Sequence, residues 1–344
     1  MSSELSVSPI SMQGLAAAPA TVVNARLAQG IAARCFGPRR DLPEWLMQPA
    51  FAVQAATDRR RPLATRLADL VAMVDGIDAL FTDYLAPNWA WFHPLEVSAP
   101  PAHEALPRWV ESLYGEAALL MRRHLVPDLA EAGIALRPVV QTDESQRAWL
   151  HRHFMQRVYP LLTPLAVDPG RPFPFISSES FNLLVELRRP EQEEDGSAAP
   201  RLFARVKIPA EVPALIAIPA AMPAQSAETP GRRTAAVHVW TADLVRFFVH
   251  HLFTGMALRR VYFFRIVRGE MPLPGAPRLA PARHRRQEDR PVVRLDVERR
   301  MEEPVLAWLV EHLRLPAYAV ARHESLPEWH GLNSLSARLT MRTT

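Results

Sequence analysis

The stretch Leu162–Asn182 reads LTPLAVDPGRPFPFISSESFN, with prolines at 164, 169, 172 and 174. Each proline fixes its own φ and pushes its predecessor toward an extended backbone. A helix is excluded there, and a strand interior is disfavoured. The segment reads as a stiff extended loop with Phe173 and Phe175 on one side. It runs into a strand at Phe181–Leu187.

Around this loop the hydrophobic period changes. Residues 1 to about 40 read as a loose or partly helical leader. From Leu42 to Leu85 the pattern is helical, with Leu63, Leu67, Leu70, Val71, Val74, Ile77 and Phe81 forming a stripe. A second helical stretch covers His103 to Ala132, with Gly133 as its C-cap. A third starts near Thr142. After the proline loop, Phe181–Leu187 and Leu202–Ile208 read as strands of a hairpin joined by the charged turn Arg189–Pro200. Pro219–Ala235 reads as a mobile loop. Thr241 is expected to cap a helix through Phe253. Val261–Val267 and Val292–Val297 read as strands, and Glu303–Leu313 as a helix. The expected class is α+β: a helical N-terminal domain followed by a mixed α+β domain.

The composition narrows the chemistry. Lys207 is the only lysine and follows Val206, so no GxxxxGK[ST] phosphate loop exists. The net charge of +4 suits either an anionic partner or a solvated arginine-rich surface. Cys35 is the only cysteine, which excludes an intrachain disulfide and a cysteine zinc site and fits a reducing cytoplasm. No early positive charge or apolar core marks a signal peptide, and no apolar run is long enough to span a membrane. His151 and His153 face different sides of a helix, as do His250 and His251, so each reads as a solvated or core-edge histidine. His323 and His330 fall in an expected C-terminal loop. No metal site is expected.

The proline segment also closely resembles the signature of the head (middle) domain of polyphosphate kinases, the ATP-dependent bacterial enzymes that polymerise inorganic phosphate. The match runs over Leu162–Pro169, Pro172–Ser177 and Asn182–Leu183. It includes Thr163, Pro164, Asp168, Pro169, Pro172, Phe173, Pro174, Phe175 and Asn182. Arg201–Pro209, Leu252–Met256, Phe264–Arg268 and Val293–Asp296 resemble later parts of that domain. Gly269–Arg290 departs from it, being short, proline-rich and basic where the family has an acidic helix. Upstream, Pro62, Leu63, Arg66, Leu67, Leu70, Asp78 and Phe81 fit the frame of the family's N-terminal helical domain. Gly76 stands where the family has an asparagine against the nucleotide base.

The resemblance implies a helical domain over 41–104, a head domain over 105–328 and a truncated tail over 329–344. It implies a family reaction in which the ATP γ-phosphate passes through a phosphohistidine to a polyphosphate chain, with magnesium. The accepting histidine belongs to domains beyond the head, and no residue here matches it, so neither catalysis nor a cofactor is expected of this chain alone. Three functions stay open: a polyphosphate kinase-type protein, a non-catalytic binding or oligomerisation module (or half of a split kinase), and a truncated gene product. The expected partners are a second copy or a complete polyphosphate kinase, with polyphosphate as a candidate ligand at Arg283, Arg285 and Arg286. Asp168 reads as a turn or capping carboxylate. Apolar surface is expected near Leu313–Trp329, where a partner would cover it.

Overall fold

The computed structural model describes residues 26–37, 42–88, 102–167, 174–188, 201–219, 235–270, 290–324 and 328–343. The chain opens with α1 (Arg26–Phe36), α2 (Glu44–Thr57), α3 (Leu63–Ala79), α4 (Ala102–Leu120) and α5 (Val126–Glu131). Then come β1 (Ile134–Leu136), α6 (Glu144–His153), β2 (Pro164–Val167), β3 (Phe181–Arg188), β4 (Leu202–Lys207), β5 (Leu215–Ala217) and β6 (Ala236–Trp240). The last part is α7 (Thr241–Phe248), β7 (Ala257–Arg268), β8 (Val292–Glu298), α8 (Glu303–Leu313), β9 (Val320–His323) and α9 (Leu332–Thr343). The α+β class is as the sequence implies.

The main sheet has the order β2-β4-β3-β7-β8-β9, antiparallel except for the parallel pair β8–β9, which α8 connects. A small sheet, β1-β6-β5, lies beside it. Strand alternation sorts the side chains. Leu184, Phe264, Ile266, Leu295 and Val297 share one face, where Trp308 of α8 stacks on Phe203. Leu183, Val185 and Phe263 share the other with Arg265, Arg294 and Asp296. This second face is apolar toward β3 and β4, where α6, α7 and the small sheet pack. It is charged toward β8, where α3 and α4 reach it through Asp78 and Tyr114.

Several expectations change. Arg26–Phe36, within the stretch read as a leader, is a helix whose Ala28, Ile31, Ala32, Cys35 and Phe36 are buried. The proline segment begins as a strand, because β2 lies at the sheet edge and Pro164 is its first residue, where a missing N–H costs no ladder bond. The third helix does start near Thr142, and Asp143 caps it as α6: its carboxylate accepts from the Gln146 N–H in a capping box. Thr241 is already inside α7, its hydroxyl donating to the Pro213 carbonyl. The described residues of 313–329 do not form an exposed apolar face: Leu315, Tyr318, Ala319, Ala321 and Trp329 are buried in the main core. His323 is a β9 residue, not a loop residue, and residues 332–343 of the expected tail form α9 against α3. Gly133 does end its helix at φ 81°. The turns 189–200 and 220–234 lie outside the described residues. No helix among the described residues is long and apolar enough to cross a membrane.

Candidate functional site

A buried charge cluster fixes the floor of the site. Asp78, near the end of α3, accepts from Arg265 and Arg294, at 2.9 Å from each to its Oδ1; a second Arg265 nitrogen reaches Oδ2. Arg294 also reaches Asp296 at 2.8 Å and the Tyr114 hydroxyl at 2.9 Å. His323 Nε2 lies 2.8 Å from Asp296 Oδ1. Arg294 and Asp296 are fully buried. Burial works against the Asp296 charge, but Arg294, His323 and Arg265 override it and hold the carboxyl below its usual range. Burial also opposes the charge on Arg265, yet Asp78 holds it more firmly protonated. The Tyr114 hydroxyl is pushed up to about 12, by burial above all. Two arginines face two aspartates, so the formal charges of the four balance.

Above this floor lies a cleft of about 960 Å³. Its walls come from the signature turn Ser177–Ser180, the end of β4, the 3-10 turn Trp329–Gly331 and α9. Lys207 is exposed, and its side chain forms no ion pair or hydrogen bond among the described residues. Arg338 reaches His238 Nε2 at 2.7 Å, while His238 Nδ1 donates to the Ala236 carbonyl at 2.8 Å. Burial, with Arg338 beside it, pushes the His238 pKa down, so the imidazole is neutral at pH 7 and leaves the Arg338 charge uncompensated. His330 is held by Asp75 at 2.8 Å, and that hydrogen bond raises its pKa. Two unneutralised cations thus line one concave surface, an arrangement that attracts anions.

The signature residues support this wall more than they furnish it. Arg205 donates to the Phe175 carbonyl and to Asn182 Oδ1, and Arg268 donates to the Ile176 carbonyl, all at 2.8 Å. Asn182, fully buried, also donates to the Ser180 carbonyl. The Arg268 guanidinium lies 4.7 Å over the half-exposed Phe175 ring. At the tip, Glu179 adopts φ 60°, a left-handed conformation that costs a non-glycine residue free energy, and its N–H is held by the Ile266 carbonyl.

Of the other anticipated residues, Thr163 is exposed just before β2 and Pro174 half-buried at the entry to the turn. Asp168, Pro169, Pro172, Phe173, Arg283, Arg285 and Arg286 lie outside the described residues. Gly76 faces Pro49 of α2, and a Cβ added there would sit 3.1 Å from the proline ring. Gly76 is therefore a helix-packing glycine. Asp78 is a structural ion-pair residue. The cluster partners Arg265, Arg294 and Asp296 sat in segments read as strands and noted for their resemblance, with nothing to single out the three side chains. His238, Arg338 and Asp75 carried no local signal.

The family model described as "Polyphosphate kinase middle domain" matches residues 145–271. Polyphosphate kinase from Mycobacterium tuberculosis (strain H37Rv) is 32% identical over 232 residues, covering 65% of this chain and 30% of its own length. The Mycobacterium ulcerans (strain Agy99) polyphosphate kinase is 32% identical over 234 residues, with the same coverage. The crystal structure of polyphosphate kinase from Porphyromonas gingivalis superposes with a TM-score of 0.66 at 20% identity, covering 84% of this chain and 40% of that one. The last shows likeness of fold. The chain spans about 30% of the length of the curated relatives it matches.

Proposed function

The chain belongs to the polyphosphate kinase family, and from that premise we propose that these 344 residues hold phosphate chains and assemble with a kinase without themselves transferring phosphate. The observation that carries this reading is the cleft with Lys207 and Arg338, two cations with no anionic partner among the described residues. A linear polyanion satisfies both charges along its length, whereas a single carboxylate satisfies one. Among the described residues of the cleft, both His238 nitrogens are engaged, and the hydrogen bond to Asp75 raises the His330 pKa and so favours its protonated, non-nucleophilic form. Gly76 offers no side chain to a nucleotide base. Supplied ATP and magnesium, as the family uses them, are therefore not turned over by this chain alone.

Medium-chain polyphosphate should bind the purified chain, weakening steeply as salt rises. The double variant Lys207→Ala, Arg338→Ala should lose most of that affinity. Undiminished binding by the double variant, with loss only on changing Arg283, Arg285 and Arg286 to Ser, would move the site to that cluster. Label from ATP γ-phosphate retained on the protein would overturn the non-catalytic part.

The partner in this reading is a second copy or a complete polyphosphate kinase. Supporting it is β2, an edge strand with Leu165 exposed on it and Leu161 exposed just before it, and no strand among the described residues on its outer side. Light scattering should find a dimer or larger at micromolar concentration. A monomer that also captures no kinase would sink this part.

A further inference from the structure

We propose that His151 and His251 form a two-ligand site for a divalent transition metal of the zinc, nickel and copper class. His151 lies in the last turn of α6, and His251 in the 3-10 turn Val249–Leu252 that follows α7. The two side chains come from positions 100 residues apart, yet their Nε2 atoms are 3.2 Å from each other, with the rings tilted by 46°. Two nitrogen ligands at about 2.0–2.1 Å from a tetrahedral zinc ion are separated by about 3.3 Å. The spacing is thus that of two ligands of one ion. Without a metal, the pair must settle for a single N–H···N bond at the long end of the usual range, which demands a bare Nε2 on one ring and a protonated Nε2 on the other.

The surroundings favour the metal form. Phe248 lies 5.2 Å from the His151 ring, and Phe154 is 6.2 Å from His251, so aromatic packing orients both imidazoles. The His250 ring is 4.2 Å from that of His251. No set of three histidine, cysteine or carboxylate groups able to hold a metal occurs among the described residues, so water completes the coordination. Imidazole-only sites suit zinc, nickel and copper and reject magnesium and calcium. A bound ion would clamp α6 to the turn after α7, closing the edge of the second core where Phe154 and Phe248 meet.

The test titrates the full chain with ZnCl2 by calorimetry. One equivalent should bind the wild type and the control His312→Gln, and none should bind His151→Gln or His251→Gln. Zinc should raise the wild-type melting temperature, reversibly with EDTA, and leave those two variants unmoved. Independently of any variant, zinc should shift the Nε2 resonances of both rings in nitrogen NMR of the wild type. Absence of zinc binding to the wild type, undiminished binding by His151→Gln, or unshifted ring nitrogens at saturation would each overturn the site.

Discussion

Asp296→Asn should destabilise the fold by about 3–5 kcal/mol, the usual consequence of removing one partner from a buried ion pair. The change conserves shape, so no cavity contributes. It removes a negative charge that faces Arg294 at 2.8 Å, His323 at 2.8 Å and Arg265 at 3.5 Å. Asp78 would then be left to balance two buried guanidinium groups. Urea denaturation should show a lower midpoint at unchanged slope. A midpoint within experimental error of the wild type would mean that solvent reaches the cluster.

The companion variant tests the coupling. Arg294→Met with Asp296→Asn removes one charge of each sign and leaves Asp78 paired with Arg265. Its loss should be well short of the sum of the two single losses, since residues in one ion-pair network are not additive. Additive losses would show that each group acts separately. Asp78 belongs to α3, while Arg265 and Arg294 belong to the sheet. The same measurement therefore reports how firmly the N-terminal helices are tied to it.

How far the chain could be read in advance follows from the range of each signal. Glu303–Leu313 is the helix of α8 as expected, and the two strands after the proline loop fall within a residue of β3 and β4. These are long runs with a clear period or clear turn residues at their ends. The strands that escaped notice besides β2, namely β1, β5, β6 and β9, have three to five residues each, too few to show a clear alternation. Strand β3 is buried along most of its length, so its apolar run could not reveal which residues face α8 and which face α7. The edge strand β2 was hidden by the rule that excludes proline from strand interiors. The sheet obeys that rule by placing Pro164 first.

The site was less legible, because its residues meet only through the fold. Asp78 fits a helix frame, and Arg265 and Asp296 sit in strands; nothing local shows that they pair across 187 and 31 residues. His151 and His251 each looked isolated, since helix spacing compares neighbours in sequence and their partnership spans two elements. Lys207 stood out only by being the sole lysine. The signature, by contrast, was legible at once but mainly as architecture. Its carbonyls at Phe175 and Ile176 are acceptors for Arg205 and Arg268.

Glu328→Gln should stabilise the protein at pH 8 and lose that advantage on acidification. Glu328 lies at the junction of the anion cleft and a second cleft of about 750 Å³, where its carboxylate accepts the N–H of Ala242 in the first turn of α7. That bond and the nearby His330 favour the charged form, but burial outweighs them and pushes the pKa up to about 7. Its Oε2 has no hydrogen-bond partner among the described residues. Below pH 4.5, the ordinary value, the acid is protonated whether the chain is folded or not, and it has no effect on stability. Between there and pH 7 the unfolded chain ionises first, so stability falls as pH rises. Above pH 7 the folded protein carries the buried charge at a cost of up to about 3 kcal/mol. Glutamine keeps an acceptor for Ala242 and never ionises. The difference in unfolding free energy between variant and wild type should therefore grow from near zero at pH 4.5 to its full value by pH 8. A difference that is flat with pH, or of opposite sign at pH 8, would show that the carboxylate at the junction is solvated.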